Sequence, residues 1–125
     1  MDIRKTYVMD APAERVWIAL TDPDAMEEWG AGPALMEAAP GGLFSQWGGS
    51  IHGVVTEVVA GRRLVESWYG GDWPAPSIAV FTLTESGGKA TVQLLHTGVP
   101  DDEVADFDSG WDEYYFGAIK AWAEE

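Results

Sequence analysis

From Leu43 to Thr97 apolar and polar residues alternate, broken mainly at glycine-rich turns. A period of two sends successive side chains to opposite faces of a strand, so residues 43–47, 50–59, 63–69, 77–84 and 90–97 read as strands. The links between them are short and carry Gly48-Gly49, Gly61-Arg62, Gly70-Gly71-Asp72-Trp73-Pro74 and Ser86-Gly87-Gly88, which makes consecutive strands antiparallel neighbours. From Asp101 the period becomes helical: Val104, Phe107, Trp111, Tyr115, Ala118 and Trp122 recur every three or four residues and fall on one stripe of a helix expected over residues 102–123. Gly110 and Gly117 interrupt that helix, each at roughly 1 kcal/mol relative to Ala, so either the helix bends there or something approaches closely. Upstream, Ile3, Tyr7 and Val8 mark a first strand, and Asp10-Ala11-Pro12 starts a short helix with Asp10 as the candidate cap. Thr21-Asp22-Pro23 ends it and caps a second short helix through Trp29; Leu35 to Ala38 reads as a weak strand. The fold class is α+β: a curved antiparallel sheet of about six to seven strands around a long C-terminal helix, with two short helices after strand one.

Composition narrows the functions. A chain of 125 residues with 46% hydrophobic residues and seven tryptophans is expected to form one globular domain, residues 1–125, without staples. The net charge of −14 disfavours nucleic acid and anionic membranes as partners, because 21 carboxylates against seven cations repel phosphate. Such a surface fits plain solubility better than adaptation to high salt. The chain has no cysteine, which excludes disulfides, thiolate catalysis and cysteine-ligated zinc. No segment is long and apolar enough to span a membrane, and the first residues lack the apolar core of a leader, so a cytoplasmic protein is expected.

Alternation groups the candidate chemistry by face. Val92, Leu94 and His96 share one face, as do Leu64, Glu66 and Trp68, and Gly42, Phe44 and Gln46. His96 is the histidine on a patterned apolar face and has the pKa range of an acid or base, but no nucleophile signature accompanies it, so a strand-end histidine satisfied by a nearby carbonyl is the plainer reading. Glu57 and Glu66 interrupt otherwise apolar strands; each is either a desolvated acid or base in a cavity or an ordinary member of a wet face. With His52 as the only other histidine, a histidine-rich metal site is implausible, and the carboxylates near Asp101 and Asp106 lack calcium-loop spacing. Neither a metal nor a cofactor is expected. Trp73, in the loop after Gly70, is either a flap over a cavity mouth or a cap on the core.

Val16-Trp17, Glu28-Trp29, Gly41-Gly42-Leu43-Phe44, the run from Gly53 through Arg62-Arg63-Leu64-Val65 to Trp68, then Leu94-Leu95-His96-Thr97-Gly98 and Gly110-Trp111 follow one another in a fixed order. That order resembles the family of homologues of the activator of heat-shock-protein-90 ATPase, within the START-like helix-grip superfamily, over nearly the whole chain. The resemblance implies a sheet gripping the C-terminal helix, often with a cavity between them. It places Trp29 at the cavity edge, turns Phe44, Trp68, Leu94 and His96 inward, and matches Glu57 to a position that often carries Glu. The chain departs from the pattern at Gly30, where an aromatic residue is common and a glycine widens the mouth, and at Ala90, where Thr is frequent. On this basis Trp29, Phe44, Trp68, Phe81, His96, Trp111 and Tyr115 are expected to line one internal cavity, with Glu57 as a polar group in it. The ligand is expected to be a small hydrophobic molecule, neutral or cationic and largely apolar, because the chain's field opposes anions. Two alternatives remain: a chaperone-regulating interaction domain, as the family name implies, or a cyclase- or hydratase-type enzyme using Glu57 or His96.

Overall fold

The computed structural model describes residues 1–125. Strand β1 (Ile3–Met9) leads into helices α1 (Ala13–Thr21) and α2 (Pro23–Trp29), followed by β2 (Leu35–Met36), β3 (Leu43–Gln46), β4 (Ile51–Val59), β5 (Arg63–Gly70), β6 (Ser77–Ser86) and β7 (Lys89–Thr97). The chain then closes with α3 (Val104–Gly110), a π-helical turn (Trp111–Phe116) and α4 (Gly117–Ala123). The seven strands form one antiparallel sheet in the order β1-β7-β6-β5-β4-β3-β2. The two short helices carry the chain from the β1 edge to the β2 edge, after which each strand pairs with the next.

Local chemistry sets the helix ends. Asp22 accepts the Asp24 N–H at 2.8 Å with Pro23 in the first turn of α2, and Gly30 ends that helix at φ 109°, a left-handed conformation that glycine adopts without a Cβ penalty. The glycine expected to widen a cavity mouth is therefore a helix cap. At α1 the expected cap does not form. Pro12 takes the capping position, and Glu85 of β6 accepts the Ala13 N–H at 2.6 Å, supplying from a distant strand the acceptor that Asp10 does not provide. Arg15 of α1 completes the far end of the chain: its guanidinium donates to the carbonyls of Trp122 and Ala123 at 2.9 and 3.0 Å and lies 3.9 Å above the Trp122 ring. A cation at a helix C-terminus satisfies free carbonyls and complements the dipole.

The concave sheet face supplies Phe44, Val55, Leu64, Trp68, Phe81, Val92 and Leu94 to the core, and the closing helix covers them with Trp111, Tyr115, Phe116, Ile119 and Trp122. Two irregularities alter the alternation. The register between β4 and β5 shifts between Val55 and Glu57: Val55 pairs with Glu66, but Glu57 pairs with Val65. One extra residue, Thr56, bulges out and turns the following side chain to the opposite face. Glu57, expected in the cavity, therefore sits outside, paired with Arg63 at 2.8 Å, and the buried carboxylate is Glu66. The second irregularity is the π turn, which inserts a residue into the helical stripe. Downstream of it Ile119 and Ala123 are buried along with Trp122, whereas Ala118, expected to face the sheet, is only half-buried.

Candidate functional site: an aromatic pocket beneath the closing helix

A π turn takes one more residue per turn than an α turn and is often found where a helix serves a site. Here it brings Trp111, Tyr115 and the adjacent Phe116 inward together. Gly117 permits it: a Cβ at that position would lie 2.5 Å from the Asp112 carbonyl oxygen. Asp112 in turn is anchored to β1, accepting the Tyr7 hydroxyl at 2.7 Å and pairing with Lys5 at 3.0 Å, while Tyr7 stacks on Phe116 at 4.5 Å.

Between this turn and the sheet lies a pocket of about 310 Å³, open to solvent on one side, lined by Trp47, Ile51, Trp68, Asp106, Phe107, Gly110, Trp111, Tyr114 and Tyr115. Trp47 reaches it from the turn after β3, where its φ of 51° is left-handed for a residue with a bulky side chain. That conformation is uncommon outside glycine and is stable only where its surroundings hold it. Here the Trp47 N–H donates to the Ala31 carbonyl at 2.7 Å, and its ring packs 6.0 Å from both Trp29 and Tyr115.

Of the seven residues expected to line one cavity, Trp68, Trp111 and Tyr115 border this pocket; Trp29, Phe44, Phe81 and His96 stand behind them in packed core. Trp29 touches Tyr115 at 5.0 Å and Phe81 touches Trp111 at 5.8 Å, so these rings support the wall instead of facing the space. Trp47, Ile51, Asp106, Phe107, Gly110 and Tyr114 were not among the expected lining. Trp73 is no flap over this pocket: its indole bonds Glu103, and its ring packs on Trp68 at 5.7 Å and Phe107 at 5.1 Å. Gly70 makes room for that contact, since a Cβ there would meet Phe107 at 2.9 Å.

Four polar side chains are buried behind the aromatic wall: Gln46, Glu66, Ser77 and His96. His96 is satisfied on both nitrogens, by the Ser77 hydroxyl at 2.7 Å and the Trp111 indole at 3.2 Å. Side chains take the place of the carbonyl expected for it. Burial, together with the N-terminal ammonium, lowers its pKa to about 4, so the ring is a neutral structural joint between sheet and helix. Glu66 differs. It is 1% exposed, forms no hydrogen bond, and burial raises its pKa to about 8. Burial also raises the pKa of Tyr115, the nearby Glu66 carboxyl adds to the shift, and Gln46 donates to the Tyr115 hydroxyl at 3.2 Å. No group of three or more histidine and carboxylate side chains is arranged to hold a metal.

Known proteins resemble this arrangement. The human activator of 90 kDa heat shock protein ATPase homolog 1 is 29% identical over 109 residues, covering 86% of this chain but 32% of that protein. The chain thus spans about a third of that relative's length. The crystal structure of an HSP90 activator from Plasmodium falciparum superposes with a TM-score of 0.91 over 97% of this chain and 94% of that one, at 23% identity, a likeness of fold. The crystal structure of CalU16 from Micromonospora echinospora gives a TM-score of 0.76 at 27% identity, covering 96% of this chain and 74% of that one. The family described as activator of Hsp90 ATPase homolog 1-like protein matches residues 10–124, and this chain belongs to it.

Proposed function

We propose that this domain binds a small, largely apolar molecule, neutral or cationic, in the pocket between Trp47, Trp68, Phe107, Trp111, Tyr114 and Tyr115. The observation that carries the reading is the pocket itself: six aromatic side chains face about 310 Å³ of accessible space with Asp106 as the only charged residue among them. Aromatic faces hold apolar rings by area and cations through their quadrupoles, and the surrounding net charge of −14 favours the latter over anions. We read this as binding in the cytoplasm without a cofactor. His96, with both nitrogens engaged and its pKa near 4, is a poor acid or base at neutral pH, which argues against a His96-centred enzyme.

The test is a panel of naphthyl and indolyl compounds, neutral, cationic and anionic, read by quenching of tryptophan fluorescence and by thermal shift. Stabilisation should follow ligand concentration over its dissociation constant and be weakest for anions. If the whole panel leaves fluorescence and melting unchanged, the binding reading fails.

A second reading is a domain that docks on a protein partner such as the chaperone named in its relatives' descriptions. One observation favours it. On the convex sheet face Leu43, Val54, Ser67 and Ile78 pair across four strands, with Leu43 and Ile78 each more than half exposed. A row of that kind, apolar at three of its four positions and exposed at its two ends, suits protein contact.

A further inference from the structure

The aromatic wall hides an unbalanced set of polar atoms. Glu66 Oε1, Gln46 Oε1 and Trp68 Nε1 are all buried without a hydrogen-bond partner. Nearly every buried polar group in a native protein is paired, so orphans call for an explanation, and a bound group that completes them is one. These three do not lie at scattered points. Glu66 and Trp68 are next-but-one neighbours on the concave face of β5, and the Tyr115 hydroxyl accepts from Gln46 and lies within electrostatic reach of Glu66. Trp68, on the same face of β5 as Glu66, and Tyr115, within electrostatic reach of the Glu66 carboxyl, also form part of the pocket wall. One of them, Tyr115, belongs to the π turn, the least regular part of the closing helix.

We propose, resting on the binding reading above, that Glu66 and Gln46 are the polar end of this pocket and that its ligand carries a protonated amine whose N–H groups they accept. Movement of the Tyr115 side chain would open the pocket toward them. Two of the three orphans, Glu66 Oε1 and Gln46 Oε1, are acceptors, and an ammonium offers them donors; the Trp68 indole N–H is itself a donor, which an ammonium does not complete. The aromatic rings flanking the route suit a cation, and Asp106 stands at the rim. No arginine or lysine contacts Glu66, so no protein cation competes for the carboxylate. The facing groups are Tyr115 from the closing helix, Gln46 from β3 and, beyond Ala79, His96 from β7; His96 and Tyr115 are both neutral between pH 6 and 8 on their shifted values.

Because burial holds the free carboxyl in its acid form up to about pH 8, taking an ammonium must release the Glu66 proton. The proton passes to solvent, and the carboxylate and ammonium remain as a pair. The probes are 2-naphthylmethylamine and its neutral counterpart 2-naphthylmethanol, titrated into the full chain by calorimetry between pH 6 and 8.5. We expect amine affinity to rise up to about tenfold per pH unit and to flatten above pH 8, with alcohol affinity constant. Glu66→Gln should bind both probes without pH dependence. An amine affinity flat with pH in the parent protein, or a slope that survives in E66Q, overturns the proposal while alcohol binding leaves the pocket reading standing. Failure of both probes would remove the reading beneath it as well. A carboxyl-carbon NMR titration of Glu66 in the parent protein supplies a check without a variant. It should titrate near 8 when free and several units lower with saturating amine, and titration near 4.5 in the free protein also overturns the proposal.

Discussion

The Trp111 indole N–H donates to Nδ1 of His96 at 3.2 Å, which joins the closing helix to the sheet through a neutral imidazole. The tautomer follows from the neighbours. Ser77 donates its hydroxyl proton to the Trp68 carbonyl at 2.7 Å, so at its other contact, 2.7 Å from Nε2, it must accept, and His96 carries its proton on Nε2. Protonating Nδ1 would set two donors against each other.

Acid should therefore loosen this joint. The His96 pKa is depressed from 6.5 to about 4, chiefly by burial, so its contribution is complete above pH 6.5 and is lost as pH falls from 6.5 to 4. Glu66 acts in the opposite sense. Its pKa is raised from 4.5 to about 8, so its contribution is complete below 4.5 and is lost as pH rises from 4.5 to 8. The two slopes cancel between 4.5 and 6.5, and from 6.5 to 8 Glu66 acts alone. Urea unfolding should show the parent protein losing about 2 kcal/mol over that last interval, at up to ~1.4 kcal/mol per pH unit, while E66Q stays level. Equal losses in both proteins would mean that Glu66 ionises freely in the fold.

Trp111→Ala should be costly but short of a fully packed tryptophan. The ring is 3% exposed, which argues for a large loss, yet one side borders a pocket open to water, where truncation leaves less new cavity. We expect about 3 kcal/mol, near the lower end for large aromatic truncations, read from the urea midpoint. An unchanged midpoint would place the ring outside the core.

Glu85→Ala tests a cap supplied across the fold. Removing the carboxylate leaves the Ala13 N–H without its acceptor at the start of α1, which should destabilise by roughly 1 kcal/mol, the usual effect of losing an N-cap acceptor. Asp10→Ala should not have this effect, because the Asp10 side chain caps nothing. Chemical denaturation of the two variants side by side separates the assignments; equal losses would contradict them.

Strand positions and the order of elements were legible because apolar alternation and glycine turns report on local geometry, and the long β6 and β7 keep their alternation far enough to fix a face. The facing of side chains departs from plain alternation at the two places where one residue is inserted, while the α1 cap departs because its acceptor, Glu85, comes from a distant strand. Nothing in Val54-Val55-Thr56-Glu57 signals a bulge, since three β-branched residues suit a regular strand equally well, so plain alternation turns Glu57 inward whereas the carboxylate buried there is Glu66. The π turn hides in the same way: stripe spacing accounts for Trp111 and Tyr115 but not for Phe116 and Ile119, whose burial needs the extra residue. Gly110 and Gly117 were the available signal. The pocket's remaining lining depends on a left-handed Trp47 and on where β4 starts relative to α3, which tertiary packing sets.

Those two glycines give the sharpest test of the pocket's construction, because helix propensity predicts the same gain for replacing either by Ala, up to about 1 kcal/mol. Their surroundings differ. A Cβ at Gly110 meets nothing within 4 Å and would extend into open space beside the pocket, so Gly110→Ala should gain stability. A Cβ at Gly117 would sit 2.5 Å from the Asp112 carbonyl oxygen, a backbone atom that Tyr7 and Lys5 hold from the side-chain end of the same residue. Gly117→Ala must therefore deform the π turn, and the lost packing of Tyr115, Phe116 and Ile119 should outweigh the propensity gain by about 1 kcal/mol or more, at the scale of overpacking elsewhere. Thermal melting of the two variants should move in opposite directions, and the tryptophan emission of Gly117→Ala should shift as Trp111 leaves its site. A Gly117→Ala protein as stable as Gly110→Ala, with unchanged emission, would show that the helix closes without its π turn and that the pocket wall does not depend on it.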